Sequence, residues 1–214
     1  MTKITLLCTD VNHPIFPFLA EWVKNNSNIY DVRLLNYVSE IEKGGDILFL
    51  ISCSEIVNQR IREQFLHTLV LHASDLPEGR GWSPHIWDIV KGKDQLILSL
   101  LEAEDSVDTG SIWKKKYIPL NGGELYNEIN ELLFTAELEL ISWACNNYKT
   151  CIAEEQVQKT SSYHRKRTPQ DSELDISGSI ADQFNLLRVC DPDRFPAFFV
   201  VSGQKYKIRI ERDE

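Results

Sequence analysis

Hydrophobic residues in this chain form short, nearly continuous runs separated by amphipathic segments. The runs KITLLCT and GGDILFLIS contain almost no alternating polar residues, which is typical of strands covered on both faces. The segment HPIFPFLAEWVKNN, which follows the first run, has apolar residues at helical spacing and a proline near its start. This alternation of strands and helices predicts an α/β protein with a mostly parallel sheet.

The same pattern continues through the middle of the chain. We predict strands over YDVRLLN and TLVLH, and a helix over SEIVNQRIREQFL with Ser54 as its N-cap. A shorter helix over SPHIWDIVKG is expected to begin with Ser83 and Pro84 and to end at Gly92. Two further strands, QLILSLLEAE and SIWKKKYIPL, are joined by DSVDTG, whose Asp and Gly residues indicate a turn.

The last third of the chain changes character twice. Its first part, GGELYNEINELLFTAELELISWACNN, predicts the longest helix, because Leu and Ile recur there at helical spacing. A polar and basic stretch then precedes a final helix over SIADQFNLLRVCD and a hairpin with its turn at Ser202–Gly203. We therefore predict a core at residues 1–150, a basic and polar linker at 151–177, and a C-terminal helix and β-hairpin at 178–214.

The composition limits the classes of function. With 214 residues, 43% of them hydrophobic, the chain can bury a full core, and its net charge of −9 disfavours general nucleic-acid binding. No segment approaches the ~20 apolar residues of a membrane span and no signal peptide is recognisable, so we expect a cytoplasmic protein. The five cysteines are scattered without a CxxC pair, and we expect neither disulfides nor a bound metal.

One long loop is the strongest candidate for a functional site. His72 ends a predicted strand, and HASDLPEGRGWSP continues for longer than the two to six residues that usually connect a strand to a helix. Ligands in open α/β sheets bind at the carboxyl ends of strands, and an imidazole with a carboxylate can move a proton near neutral pH. GxGxxG, GxxxxGK[ST], GxSxG and HExxH motifs are all absent.

The sequence HASDLPEGRGWSP, followed by SLLEAEDSVDTGSI, resembles the folate-dependent formyltransferases. Their loop reads roughly His-x-Ser-x-Leu-Pro-x-x-x-Gly-x-x-Pro, and their later turn carries Asp-x-Gly, matched here by Asp108 and Gly110. The loop is matched by His72, Ser74, Leu76, Pro77, Gly81 and Pro84. The resemblance implies a Rossmann-like core with a mixed, mostly parallel sheet, followed by a short C-terminal helix–hairpin subdomain.

The resemblance also implies a mechanism. Members of this family transfer the formyl group of 10-formyltetrahydrofolate to an amine. His72 would lie beside the reacting carbon, and Asp108 would orient the histidine and help to remove the proton. The folate pocket would be lined by Cys53, Ser54, Glu55, Ile56, Asp105, Ser106, Val107 and Gly110.

Two positions depart from the family pattern. An asparagine usually stands two residues before the histidine, where this chain has Val70, and many relatives have a histidine where it has Leu101. Losing an oxyanion donor costs about 10²–10³-fold in rate, so another donor should replace the asparagine if the domain is active. Ser52 is the first candidate, with Ser99 and Ser74 as weaker ones.

The C-terminal region resembles the short tail of sugar-nucleotide formyltransferases. Its Arg-x-Pro-x-Asp, Asn-Leu-Leu-Arg and Pro-Ala-Phe motifs occur together there, and HASDLPEGRGWSPHIW most resembles the pseudaminic-acid-pathway type. The implied substrate is a UDP-linked 4-amino-4,6-dideoxy-N-acetyl sugar. The substrate would contact Ser74, Gly79, Arg80, Gly81, Trp82, Tyr163, Arg165, Arg167, Arg188, Phe195 and Phe198.

Two alternatives stay open on the sequence. A formyltetrahydrofolate hydrolase would use water in place of the amine, although hydrolysis would not require the C-terminal tail. A non-catalytic module that binds folate or a nucleotide sugar would explain Val70, but not the pairing of His72 with Asp108. Relatives often dimerise through C-terminal elements, and the aromatic hairpin would allow a homodimer.

Overall fold

The computed structural model describes residues 1–157 and 161–213. The strands are β1 (Lys3–Leu7), β2 (Asp31–Leu35), β3 (Gly45–Leu50), β4 (Phe65–His72), β5 (Arg80–Gly81), β6 (Gln95–Glu102), β7 (Ile112–Pro119), β8 (Tyr163–His164), β9 (Ala197–Val201) and β10 (Gln204–Ile208). The α-helices are α1 (Phe16–Asn26), α2 (Gln59–Arg62), α3 (Pro84–Val90), α4 (Tyr126–Asn147) and α5 (Ile180–Arg188). None of the described helices is long and apolar enough to cross a membrane.

A six-stranded sheet in the order β2-β1-β3-β4-β6-β7 forms the centre of the protein. The first four strands in this order pair parallel, whereas β6 pairs antiparallel with both β4 and β7. The predicted Rossmann-like, mixed and mostly parallel sheet is therefore confirmed. The parallel strands β1, β3 and β4 all end at the same edge, which places their following loops together.

The central strands are covered on both faces, as their continuous apolar runs predicted. On β1, Leu6 packs in the main core with α1 and α4, whereas Leu7 packs in a smaller cluster with Leu48 and Val57. Both leucine side chains are fully buried. This burial on either side explains why the strands show no polar alternation.

Helix α4 is the longest described helix, with 22 residues, and it packs along the main core. Its buried positions recur at helical spacing and include Leu133 and Leu140. Glu137 lies on the same buried face, and its Oε2 atom has no hydrogen-bond partner among the described residues. Burial raises the pKa of Glu137 to about 8, so its carboxyl is mostly protonated at neutral pH.

The predicted extent of the helix beginning at Ser54 is wrong, because the helix in the structure is much shorter. Helix α2 begins only at Gln59, and the side chain of Asn58 caps it by accepting a hydrogen bond from a main-chain N–H. Ser54 instead bonds Thr9 through both its hydroxyl and its amide, which keeps this part of the chain in a loop. Ser83 occupies the predicted cap of α3 but makes no capping hydrogen bond.

The basic stretch after α4 contacts the loop that follows β4. Within it, β8 pairs parallel with β5, with Tyr163 opposite Arg80 and His164 opposite Gly81. Residues 158–160 of the predicted linker lie outside the described residues. After this stretch, β9 and β10 pair antiparallel around a turn at Ser202–Gly203, where both residues have positive φ angles.

Candidate active site

The site is built around His72 at the carboxyl end of β4. The side chain is buried, its Nε2 lies 2.9 Å from the carbonyl oxygen of Gly79, and its Nδ1 lies 3.4 Å from Oδ1 of Asp108. The other carboxylate oxygen of Asp108 accepts a hydrogen bond from the amide of Gly81 at 2.9 Å. The structure therefore brings together the histidine and aspartate that the sequence paired, and both imidazole nitrogens face acceptors.

Two glycines allow the main chain of the loop after His72 to approach neighbouring residues closely. Gly79 and Gly81 have φ angles of 74° and 96°, which favour glycine strongly. A Cβ atom on Gly79 would lie 2.8 Å from the Cβ of Ser74, and one on Gly81 would lie 2.4 Å from the carbonyl oxygen of His164. These contacts explain why the loop needs glycine at both positions.

The side chain of Gln156 fixes the turn that carries Asp108. Its Nε2 donates to the carbonyl oxygens of Asp108 and Gly110, each at 2.9 Å, and its Oε1 accepts from Arg80 at 2.9 Å. Arg80 and Gln156 also line an open cleft of about 380 Å³ beside this turn. Sequence reasoning missed Gln156, because it lies 48 residues from Asp108 in a stretch predicted to be linker.

A second histidine lies at the same edge of the sheet. His13, in the loop after β1, has its Nε2 3.3 Å from the hydroxyl oxygen of Ser52, in the loop after β3. Burial and then the positive charge of Arg194 lower the pKa of His13. The sequence identified Ser52 but weighed His13 only as a metal ligand.

His85 on α3 is a third histidine near these groups. Its pKa is lowered to about 4, first by burial and then by the charges of His13, His72 and Arg167. The imidazole is therefore neutral at physiological pH, and its Nδ1 has no partner among the described residues. No motif in the sequence pointed to it.

The two loops predicted to hold folate are joined by Arg62. One guanidinium nitrogen donates to the carbonyl oxygen of Val57 at 2.8 Å, and the other donates to Oδ1 of Asp105 at 2.5 Å. Ile56 on the first loop is 89% exposed and Val107 on the second is 70% exposed. Large exposed apolar side chains on two linked loops provide suitable contacts for a flat aromatic ligand.

Most other side chains of these loops hold the loops themselves. Cys53 donates to the carbonyl oxygen of Glu55, and burial raises the pKa of the Cys53 thiol. Glu55 accepts from the amide of Val38, and the carbonyl oxygen of Ser106 accepts from Thr109. Recognition by polar groups here would therefore fall mainly on the main chain.

A strip of aromatic and basic side chains borders the site. We call it the tryptophan strip. It consists of Trp82, Trp87, His164, Arg165 and Lys166. Lys166 Nζ lies 4.7 Å from the ring centre of Trp82, and Arg165 lies 5.1 Å from that of Trp87. His164 stacks on Trp87 with 5.9 Å between ring centres.

The other predicted cations and aromatics are only partly available. Arg165 forms a two-point ion pair with Asp171, and Arg167 donates to the carbonyl oxygen of the same residue. Tyr163, next to the tryptophan strip, is 67% exposed. Phe195 is exposed but lies beside Arg194, which bonds to the loop after β1. Lys166 was missed, because no motif distinguished it from a solvated charge.

Three of the predicted substrate contacts are buried in this structure. Arg188 is 2% exposed and pairs with Glu124 at 3.3 Å, so its charge is already compensated inside the protein. Phe198 is 4% exposed and belongs to the packing of β9. Ser74 is 1% exposed and lies underneath Gly79.

Metal ligation finds no support in residues 1–157 and 161–213. These residues contain no group of three or more His, Cys, Asp or Glu side chains that could hold a metal ion. His72 and His13 instead have partners suited to proton transfer and hydrogen bonding.

Known proteins that are similar to this chain in sequence include methionyl-tRNA formyltransferases and the polymyxin resistance protein ArnA. A methionyl-tRNA formyltransferase of Flavobacterium psychrophilum is 29% identical over 153 residues, which are 68% of this chain and 47% of the relative. The bifunctional polymyxin resistance protein ArnA of Wigglesworthia glossinidia brevipalpis is 26% identical over 168 residues, 75% of this chain and 25% of that protein. The chain thus spans less than half the length of these relatives. No protein-family model matches it.

Solved structures with a similar fold also include formyltransferases. A methionyl-tRNA formyltransferase from Clostridium thermocellum has a TM-score of 0.79 at 20% identity, covering 96% of this chain and 90% of that one. A sugar N-formyltransferase from Shewanella sp. FDAARGOS_354 has a TM-score of 0.74 at 17% identity, covering 100% and 99%. HypX from Aquifex aeolicus, solved with tetrahydrofolic acid, has a TM-score of 0.74 at 17% identity, covering 95% and 36%. The chain has the fold of the formyltransferases and resembles them in sequence.

Proposed function

We propose that this protein is an N-formyltransferase that moves the formyl group of 10-formyltetrahydrofolate to the amine of a nucleotide-linked amino sugar. The observation that carries the proposal is the contact between His72 and Asp108 at the carboxyl edge of the sheet. Two loops linked by Arg62 carry exposed apolar side chains, Ile56 and Val107, which supports binding of a pterin ring there. The similarity to formyltransferases supports the same reaction.

The residues of the site can support the chemistry of formyl transfer. The folate supplies an activated formyl group, the amine nitrogen forms a bond to the formyl carbon, and the bond from that carbon to the folate nitrogen breaks. His72 accepts through Nε2 the proton that the amine loses, after the substrate displaces the contact of Nε2 with the carbonyl oxygen of Gly79, and delivers the proton to the departing nitrogen. Asp108 stabilises the protonated imidazole and, through the amide of Gly81, holds the loop over the site. The products are a formamide and tetrahydrofolate.

The net charge favours a sugar nucleotide over a tRNA. Solved structures of a sugar N-formyltransferase and of a methionyl-tRNA formyltransferase both match this fold over 90% or more of each chain, so the choice of substrate rests on charge and on the side chains of the site. A net charge of −9 disfavours the many phosphate contacts that tRNA binding requires. The tryptophan strip offers the exposed ring of Trp82 for a base and the ammonium group of Lys166 for a diphosphate. A UDP-linked 4-amino-4,6-dideoxy-N-acetyl sugar of a pseudaminic-acid-type pathway is the substrate we propose.

Mass spectrometry of reaction mixtures tests this function. We expect the protein, given 10-formyltetrahydrofolate and a panel of nucleotide-linked 3-amino and 4-amino sugars, to add one formyl group to a panel member. His72→Ala and Asp108→Asn should each lower kcat by about 10²–10⁴-fold, because proton transfer is lost or misdirected. The melting temperature of each variant is the control for folding.

Other outcomes would contradict the proposal. Consumption of the folate without a formylated sugar would indicate formyltetrahydrofolate hydrolysis. Binding of folate or sugar nucleotide with neither consumed would indicate the non-catalytic module. Both outcomes are read from the same mixtures, because folate and sugar masses are recorded together.

A further inference from the structure

The parallel pairing of β3 and β4 brings the segment that carries Ser52 and the strand end that carries His72 to the same edge of the sheet. Leu50 of β3 pairs with Val70 of β4, and Ser52 and His72 each follow two residues later. Val70 has no hydrogen-bond donor in its side chain. The proposed reaction nevertheless places negative charge on the formyl oxygen, which needs a donor within hydrogen-bond distance.

Of the three serines near this position, only Ser52 presents its hydroxyl to solvent. Ser99 is fully buried and donates to the carbonyl oxygen of Ser74 at 2.7 Å. Ser74 is itself 1% exposed. Ser52 is exposed and has a φ angle of 47°, a conformation that is strained for a residue other than glycine.

The hydrogen bonds of His13 decide which way the Ser52 proton points. The amide of Ile15 donates to Nδ1 of His13 at 3.3 Å, so Nδ1 carries a lone pair rather than a proton. A neutral imidazole then carries its proton on Nε2. That Nε2–H donates to the hydroxyl oxygen of Ser52 at 3.3 Å, which leaves the Ser52 proton directed elsewhere.

We propose that the Ser52 hydroxyl is the donor that stabilises the oxyanion during formyl transfer, and that His13 is a positioning residue that fixes its direction. The role rests on the proposed function. Hydrogen bonds in series polarise one another, so a hydroxyl that accepts from His13 is a better donor to the developing oxyanion. The pair would supply, from two other strand ends, the function that an asparagine at position 70 could have supplied.

Kinetics of variants test the catalytic part. Ser52→Ala should lower kcat about 10²–10³-fold with KM for folate changed less than about twofold, because the donor acts on the transition state. His13→Ala should lower kcat by a smaller factor, and His13→Gln, whose amide can also donate, should recover much of it. The double variant Ser52→Ala/His13→Ala should be no slower than Ser52→Ala alone. Ser27→Ala removes an exposed hydroxyl at the end of α1 and is the matched control.

Kinetic outcomes separate this inference from the proposed function. Formyl transfer by the wild type with an unchanged kcat in Ser52→Ala would overturn the inference alone. Fully multiplicative effects in the double variant would overturn the positioning role of His13. A wild type that transfers no formyl group to any amine would overturn the proposed function and the catalytic role of Ser52 with it.

A measurement that needs no turnover tests the geometry. Long-range proton–nitrogen NMR should show the His13 ring protonated on Nε2 and unprotonated on Nδ1 at neutral pH. The Nε2 shift should change in Ser52→Ala but not in Ser27→Ala. A ring protonated on Nδ1 would overturn the inference, because His13 could then not donate to Ser52.

Discussion

The buried carboxyl of Glu137 shows how one residue can make stability depend on pH. The side chain is 9% exposed on the core face of α4, and burial raises its pKa to about 8. An unfolded chain would ionise this group near its ordinary pKa of 4.5. The folded state therefore holds the proton more tightly, and this contribution to stability is lost as the pH rises from about 4.5 towards 8.

Replacing Glu137 with glutamine should remove this pH dependence. Glu137→Gln keeps the shape but cannot ionise, so we expect the variant to be more stable than the wild type at pH 7 by up to about 3 kcal/mol, and similar at pH 4.5. Urea unfolding across this pH range measures the difference. Glu139→Gln, on the exposed side of the same helix, is the control. Parallel pH profiles of Glu137→Gln and the wild type would contradict the prediction.

Motif spacing alone was enough to pair His72 with Asp108, because both residues belong to contiguous family signatures. It could not pair His13 with Ser52, since these residues are 39 positions apart and neither loop has a signature. The partner of Arg188 could not be predicted for the same reason, because Glu124 lies 64 residues away. The sequence of a motif does not distinguish a charged residue that faces a ligand from one that faces a buried counter-ion.

Strands and loops contribute unequally to the site. The pairing of β5 with β8 involves only two residues from each strand, yet it holds the basic stretch against the loop after His72. Gly81 allows the close approach, since a Cβ atom there would clash with the carbonyl oxygen of His164. The tryptophan strip is assembled by this small contact.

Substituting Gly81 with alanine should separate β8 from β5. We expect Gly81→Ala to raise KM for the sugar nucleotide and to expose residues 161–167 to limited proteolysis, because the clash is with main chain and cannot be relieved by a rotamer. Gly122→Ala is the matched control, since Gly122 has a similar φ of 88° but open space around its Cβ position. Equal proteolysis of the two variants would contradict this role of the pairing.

Sheet elements could be predicted well, and the loops could not. Strands such as β3 are buried on both faces, and for this reason their sequences are continuous apolar runs that can be recognised directly. Helix α2 was predicted too long, because IVNQRI has helical spacing although Ile56 is exposed and Asn58 caps a later start. The β5–β8 contact had no signal, because two-residue strands are too short to show a period.

At the scale of the whole molecule, the C-terminal region is attached to the core by buried polar contacts. Arg188 of α5 bonds both the carbonyl oxygen and the carboxylate of Glu124, just before α4. Tyr126, in the first turn of α4, donates to Asp191 at 2.9 Å. We therefore expect residues 178–213 to unfold together with the core in one transition.

Removing the buried charge of Arg188 tests this coupling. Arg188→Met leaves Glu124 without its counter-ion, and breaking such a pair typically costs about 3–5 kcal/mol. The exposed pair of Arg212 with Glu128 is the control, because Arg212→Met should cost less than about 1 kcal/mol. Calorimetry measures both the number of unfolding transitions and the loss of stability in each variant. Two separate transitions in the wild type, or equal losses in the two variants, would contradict the expectation.

The left-handed backbone conformations have a consequence for engineering. Four described non-glycine residues have positive φ angles: Ser52, Ser83, Asp108 and Ser202. Glycine at Ser202, in the C-terminal hairpin, would relieve strain without touching the proposed site, whereas glycine at Ser52 or Asp108 would relieve it by deleting a side chain to which we assign a role in catalysis. A search that selects only for a higher melting temperature would therefore favour substitutions at these two positions that we expect to lower activity. Such a search should measure turnover as well as melting temperature.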